Sequence, residues 1–182
     1  MCCCPTLRVL VLIMVLLATA CAVCANIFPV FQKKNNVVTI KQTLWYNRTA
    51  LSGGNEIEQK VSESLCTQYK LFFQVSEAMV VATVGVGLIV VGFAIAQLII
   101  AVKGRCLACC GSFLITLAFD ASGVCVALLV YGYMKGYCQN DTSLSSVYAP
   151  FKDQNYKFAE SFYLISVACG LFLISSLFEC FT

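Results

Sequence analysis

The chain contains no histidine. Chemistry that uses imidazole as a general base, a proton shuttle or a metal ligand is therefore excluded, and most hydrolase and metalloenzyme mechanisms go with it. Charge is also scarce. Only 12% of the 182 residues are charged, about half the share found in ordinary soluble domains. The net charge of +3 is too small to suggest a nucleic-acid partner. Hydrophobic residues make up 60% of the chain, and the solvent that suits such a composition is a lipid bilayer.

Four apolar stretches, at about 9–30, 78–102, 107–133 and 158–178, each reach the roughly 20 residues a helix needs to cross a membrane. The expected fold class is an all-α membrane protein. It is a four-transmembrane-helix bundle forming a single membrane domain, with hydrophilic outer loops at about 31–77 and 134–157 that build a small mixed α/β outer loop domain. The first stretch also has the form of a cleavable leader, since Arg8 precedes an apolar run that closes on the small residues Ala22 and Ala25.

Each outer loop carries one N-glycosylation sequon and one cysteine. They are Asn47-Arg48-Thr49 with Cys66, and Asn140-Asp141-Thr142 with Cys138. If both loops share an oxidising face, a Cys66–Cys138 bridge would clamp them together. The turn after the second span, Lys103-Gly104-Arg105, is a compact basic cluster without acids. The outer lysines Lys33, Lys34 and Lys70 are diluted by Glu56, Glu58 and Glu63. Density of positive charge thus puts both termini in the cytosol.

Within loop one, the alternating β-branched and aromatic run from Val37 to Tyr46 predicts a strand, and Ser52-Gly53-Gly54 breaks it. Ile57, Val61 and Leu65 then recur at helical spacing. The lone Trp45 is expected in the core of the loop domain. Tyr69-Lys70 and Tyr156-Lys157-Phe158 precede the second and fourth spans, which suggests interfacial anchors.

Inside the second span, Ala78, Ala82, Gly85, Gly92 and Ala96 accumulate on one face and suggest a helix-packing seam. In the third, Ser112, Thr116, Asp120, Gly123 and Ala127 form a polar and small stripe that should face the bundle interior. Asp120 sits near mid-span, where a carboxylate is costly by roughly 2.5 to 3.5 kcal/mol. It either hydrogen-bonds to Thr116 and to Gln97 or serines of neighbouring helices, or lines a proton or ion path with Gln97 in a transporter or channel.

The remaining cysteines divide by position. Cys2, Cys3, Cys4, Cys106, Cys109 and Cys110 would gather at the cytosolic ends of helices, where juxtamembrane cysteines are acylated. Zinc is the competing reading there, but no second pair at fixed spacing supports it, and no metal or cofactor is expected. Cys21-Ala22-Val23-Cys24 has the CxxC spacing of redox dithiols and opens a lesser alternative, a membrane thiol oxidoreductase.

This architecture resembles the amastins, four-helix surface glycoproteins of trypanosomatids, and more distantly the claudins. The amastin signature in the first outer loop runs roughly Cys, aliphatic, Thr or Ser, aliphatic, Trp, Gly, any, basic. Thr43, Leu44, Trp45 and Arg48 match it, while Lys41 and Leu51 stand where the signature has cysteines and Tyr46 where it has glycine. The resemblance is to a divergent member and covers most of the chain. It implies a non-enzymatic glycoprotein of the plasma membrane whose outer domain serves cell-surface contact or membrane organisation. The partners expected are the lipid bilayer, a like subunit in a homo-oligomer, or a surface protein or lipid.

Overall fold

A computed structural model describes residues 5–35, 38–51, 56–100 and 105–179, with their side chains except at 5, 97–100 and 105–109. Cys2, Cys3, Cys4, Lys103 and the Ser52-Gly53-Gly54 break lie outside the described residues, as do the side chains of Gln97, Cys106 and Cys109.

Four helices dominate: α1 (Pro5–Ile27), α2 (Thr67–Ile100), α3 (Arg105–Lys135) and α4 (Glu160–Glu179). All four are long and apolar enough to cross a membrane. Each packs mainly against two others, in the cyclic order α1, α2, α3, α4. The buried stripe of α1, Val11, Val15, Ala18, Ala22 and Ala25, advances in steps of three and four, so one helical face carries its contribution to the core.

The second helix begins at Thr67, about three turns before the apolar stretch that marks it in the sequence. Gln68, Lys70, Gln74 and Glu77 lower the hydropathy of those turns without interrupting the helix. The small-residue seam is also displaced. Ala78, Ala82, Gly85 and Gly92 all lie on the outside of the bundle, and a Cβ added at Gly85 or Gly92 would meet nothing within 4 Å. The close helix approach occurs at Gly87, where an added Cβ would lie 2.5 Å from Thr19 Oγ1 of α1. Small residues signal what a helix permits, not which neighbour takes the opportunity.

At one end of the bundle, both inter-helix loops build an antiparallel sheet in the order β4-β3-β2-β1-β5. Its strands are β1 (Phe31–Lys34), β2 (Val38–Gln42), β3 (Tyr46–Leu51), β4 (Glu56–Lys60) and β5 (Lys157–Phe158). The expected single strand is thus two, because Thr43 turns the chain. Its hydroxyl accepts from the Tyr46 amide at 2.8 Å and donates to the Tyr46 carbonyl at 3.0 Å.

The helical spacing of Ile57, Val61 and Leu65 gives no helix. Glu56–Lys60 is β4, followed by a 3-10 turn at Val61–Glu63, and Ile57 and Leu65 are exposed. A step of four falls on one face of a strand as well as of a helix, so the spacing carried no preference. Pairing with β3, reinforced by the Arg48–Glu58 ion pair at 2.9 Å, decides the matter. Among the described residues, the stretch from 31 to 77 thus holds four strands of an antiparallel sheet, a 3-10 turn and the first turns of α2, and its helical part is not the Ile57–Leu65 segment.

Two connections seat the sheet on the helices. The Cys66–Cys138 disulfide joins the start of α2 to the residues just after α3. Where α1 ends and α4 begins, Ala159 N donates to Val30 O at 2.8 Å and Ser161 Oγ to Ala25 O at 2.6 Å. Both loops thus belong to one structure at one end of the bundle.

Candidate functional site

The register of the sheet assembles the site. Gln59, Asn47, Gln42, Phe31 and Phe158 are successive cross-strand partners on β4, β3, β2, β1 and β5. Cross-strand partners project from the same face. One row therefore carries three carboxamides followed by two aromatic rings. The aromatic end seals against the helix tops: Phe31 is fully buried and stacks on Phe151 at 4.4 Å between ring centres.

The carboxamide end faces a cavity of about 130 Å³ between the sheet and loop two. Its opposite wall is aromatic, with Tyr69 from α2, Tyr137 just after α3, and Tyr148, Phe151 and Tyr156 from loop two. Tyr69 contacts Tyr137 edge-on at 5.3 Å, and Phe151 meets Tyr156 edge-on at 5.2 Å. Tyr69 and Tyr156 are buried, so they form the core of the outer domain and are not the interfacial anchors the sequence suggests. Burial holds the Tyr137 and Tyr156 phenols above their ordinary range, and the nearby Tyr131 adds to the rise at Tyr137.

Backbone geometry shapes this wall. Gly136 ends α3 in a left-handed conformation, at φ 67°, with the backbone of Tyr148 and Pro150 so close that a Cβ would collide. The chain then doubles back and Tyr137 N donates to Tyr148 O at 2.8 Å. Gln154 Nε2 holds the same loop by donating to Ala149 O at 2.7 Å.

The polar groups of the row differ in what they bind. Gln42 is buried, and its Nε2 donates to Thr43 O at 2.8 Å. Asn47 Oδ1 is buried and has no hydrogen-bond partner among the described residues, an omission that costs a protein about 1–3 kcal/mol. Asn47 is also one of the two sequon asparagines and is among the residues that line the cavity. Asn140, the other, sits with Asp141 and Thr142 in an exposed stretch. Asp141 there accepts from the Ser143 hydroxyl at 2.6 Å and the Ser143 amide at 3.0 Å, which holds its carboxyl below the usual range. Asn140 is thus exposed, whereas Asn47 is half-buried.

In the signature segment, Leu44 is buried and Trp45 is exposed, the reverse of the expected core role for Trp45. The turn at Thr43 sends consecutive side chains to opposite sides. Trp45 borders a surface recess with Gln74 and Glu77 of α2, and its carbonyl accepts from Val61 N at 3.0 Å. Arg48 is exposed and paired with Glu58.

Asp120 lies at the midpoint of α3 but on the outside of the bundle, together with Thr116 and Ala127. Thr116 Oγ1 lies 3.1 Å from Ser176 Oγ of α4, and Gly123 faces Cys169 of α4, so the stripe runs beside the α3–α4 seam instead of inside the bundle. A path along the centre of one bundle would not meet Asp120. Cys21 and Cys24 are half-buried on α1 with free thiols, and Cys110 is exposed. No three potential metal-ligating side chains converge among the described residues.

Compared with known proteins, the chain matches no family model and no curated relative.

Proposed function

We propose that this chain is a multi-pass plasma-membrane protein of amastin type, a non-enzymatic surface glycoprotein with both termini in the cytosol. Its outer domain makes contact with a molecule outside the cell or organises the membrane around it. The observation that carries this reading is the joining of the two loops into one sheet-based domain, clamped by Cys66–Cys138, at one end of four apolar helices. Disulfides form and persist on the oxidising side of membranes, which favours an extracytosolic position for that end. Thr43, Leu44, Trp45 and Arg48, the residues of the amastin-like signature, fall at the β2–β3 turn and on β3 of the same domain.

The test is surface topology in intact cells. An epitope inserted after Ser143 should be reached by antibody without permeabilisation, and a glycosidase should shorten the chain by one glycan unless Asn140 is changed to Gln. An epitope reached only after permeabilisation would sink the proposal.

A further inference from the structure

We propose that the recess between the β2–β3 turn, the end of β4 and α2 seats the headgroup of a zwitterionic phospholipid, one whose phosphate carries a cationic amine, drawn from the leaflet around this end of the bundle. The inference rests on the membrane reading given above and adds to it a lipid class and a place for that lipid.

The recess holds about 270 Å³, many times the roughly 30 Å³ share of one water molecule. Its walls come from two directions. Trp45 and Tyr46 at the turn, with Lys60 and Ser62 at and just after the end of β4, line one side, and Gln74 and Glu77 of α2 line the other.

Charge selects the guest. Lys60 and Glu77 border the same recess, yet neither makes an ion pair with a described residue. Lys60 is exposed, and Glu77 is half-buried with no hydrogen-bond partner among the described residues. A guest of one charge would satisfy one of the two and meet the other as a like charge. A phosphate joined to an amine satisfies both. The phosphate accepts from the Lys60 ammonium and the Ser62 hydroxyl, and the amine lies against the Glu77 carboxylate. Trp45 offers the amine a ring. It is exposed, whereas the Tyr46 ring is already covered by Arg48, whose guanidinium lies 5.9 Å from the ring centre. The contact between cation and ring therefore belongs to Trp45.

Depth agrees with a headgroup. Glu77 is the last charged residue before the apolar run of α2, which begins at Ala78. The recess thus lies where hydrocarbon gives way to the polar interface, the level at which tryptophan is enriched. Below Gln74, on the same face of α2, Ala78, Val81, Gly85 and Leu88 follow in steps of four and three, and all are exposed. A lipid whose headgroup fills the recess has its acyl chains along a helix face that no described element covers.

The full chain, with its disulfide intact, is placed in nanodiscs of equal parts phosphatidylcholine, phosphatidylethanolamine and phosphatidylglycerol. It is then released and weighed with its retained lipid by native mass spectrometry. Each zwitterionic lipid should be retained over phosphatidylglycerol by about three- to tenfold. The two charges should act in different directions. Glu77→Gln should raise retention of phosphatidylglycerol until the preference is lost, and Lys60→Gln should lower retention of all three lipids. Trp45→Ala should weaken the preference by a few fold, and Trp45→Phe should keep most of it.

A second readout needs no variant, because Trp45 is the single tryptophan of the chain. In discs of phosphatidylglycerol doped with a phosphatidylcholine that bears a nitroxide high on one acyl chain, its fluorescence should be quenched. Unlabelled phosphatidylcholine should relieve that quenching at least about threefold more effectively than added phosphatidylglycerol. Equal retention of the three lipids, equal relief by the two competitors, or a preference unchanged in folded Glu77→Gln and Trp45→Ala overturns the proposal. A chain that does not enter nanodiscs overturns the membrane reading with it, whereas a chain that enters them and shows no preference overturns this inference alone.

Discussion

Cys138 is held to the start of α2 twice over, by the disulfide to Cys66 and by its own amide, which donates to Gln68 Oε1 at 2.8 Å. The residue itself has a left-handed backbone, at φ 51°, a conformation rarely taken by residues other than glycine. A closing contact of this kind fixes how loop two sits over the sheet, and so fixes the wall of the cavity.

Replacing both Cys66 and Cys138 with Ser should destabilise the outer domain by about 2–4 kcal/mol, since the bridge spans 72 residues of sequence. Reductant should lower the unfolding midpoint of the parent protein and leave the double variant unmoved. Gln68→Ala should cost about 1 kcal/mol in either background. Thermal unfolding monitored with and without reductant measures all three, and a reductant effect that persists in the double variant would contradict the assignment.

Glycine substitutions along α2 should separate by position. Gly87→Ala forces its Cβ onto Thr19, so it should destabilise by about 1–3 kcal/mol. Thr19→Ala should recover part of that loss by removing Oγ1 and Cγ2. Gly85→Ala and Gly92→Ala meet open space and should leave the stability of the single chain unchanged or slightly raised. Chemical denaturation in micelles gives the comparison, and equal losses at the three glycines would show that α1 does not approach at Gly87.

These glycines illustrate which information a sequence of this kind carries. The four helices were legible because uninterrupted hydrophobicity is a one-dimensional property, and the Cys66–Cys138 pairing because each outer loop holds one cysteine. The orientation of each helix about its axis was not legible, since every face is apolar enough for lipid. That is why the stripes that hold Ala78, Ala82 and Asp120 suggest an inward face in the sequence and lie outward in the fold. The sheet register was hidden for a different reason. It depends on the turn at Thr43 and on pairing between loops far apart in sequence, so nothing local marks Asn47 as a residue that lines the cavity.

Alkaline pH should loosen the outer domain before it affects the helices. The phenols of Tyr137 and Tyr156 are raised by burial, so in the unfolded chain they lose protons near their ordinary pKa while the folded form keeps them. Their contribution to stability is fully present below that ordinary value, about 10, and is lost as pH rises through the folded values. Phenolate absorbance should show a late-titrating group that moves to lower pH in Tyr137→Phe and Tyr156→Phe only by losing members. Unfolding midpoints should fall above about pH 10 and fall less in those variants. A titration in which all tyrosines ionise together would contradict the buried wall.

Asp120 provides the test of how the bundle sits in lipid. It makes no hydrogen bond or ion pair with any other described residue, and it projects outward halfway along a helix of 31 residues. In a bilayer that position faces hydrocarbon if the chain is alone, at a cost of roughly 2.5 to 3.5 kcal/mol on insertion scales. A second copy packed on the α3–α4 face would remove the carboxylate from lipid and give it polar neighbours such as Thr116 and Ser176. Asp120→Leu should therefore stabilise the monomeric bundle while weakening self-association, and Asp120→Asn should do each to a smaller degree. Energy transfer between two labelled populations in vesicles, measured against lipid dilution, separates these effects. Association unchanged in Asp120→Leu would leave the carboxylate facing lipid, and the argument for a lateral partner at this helix face would fail.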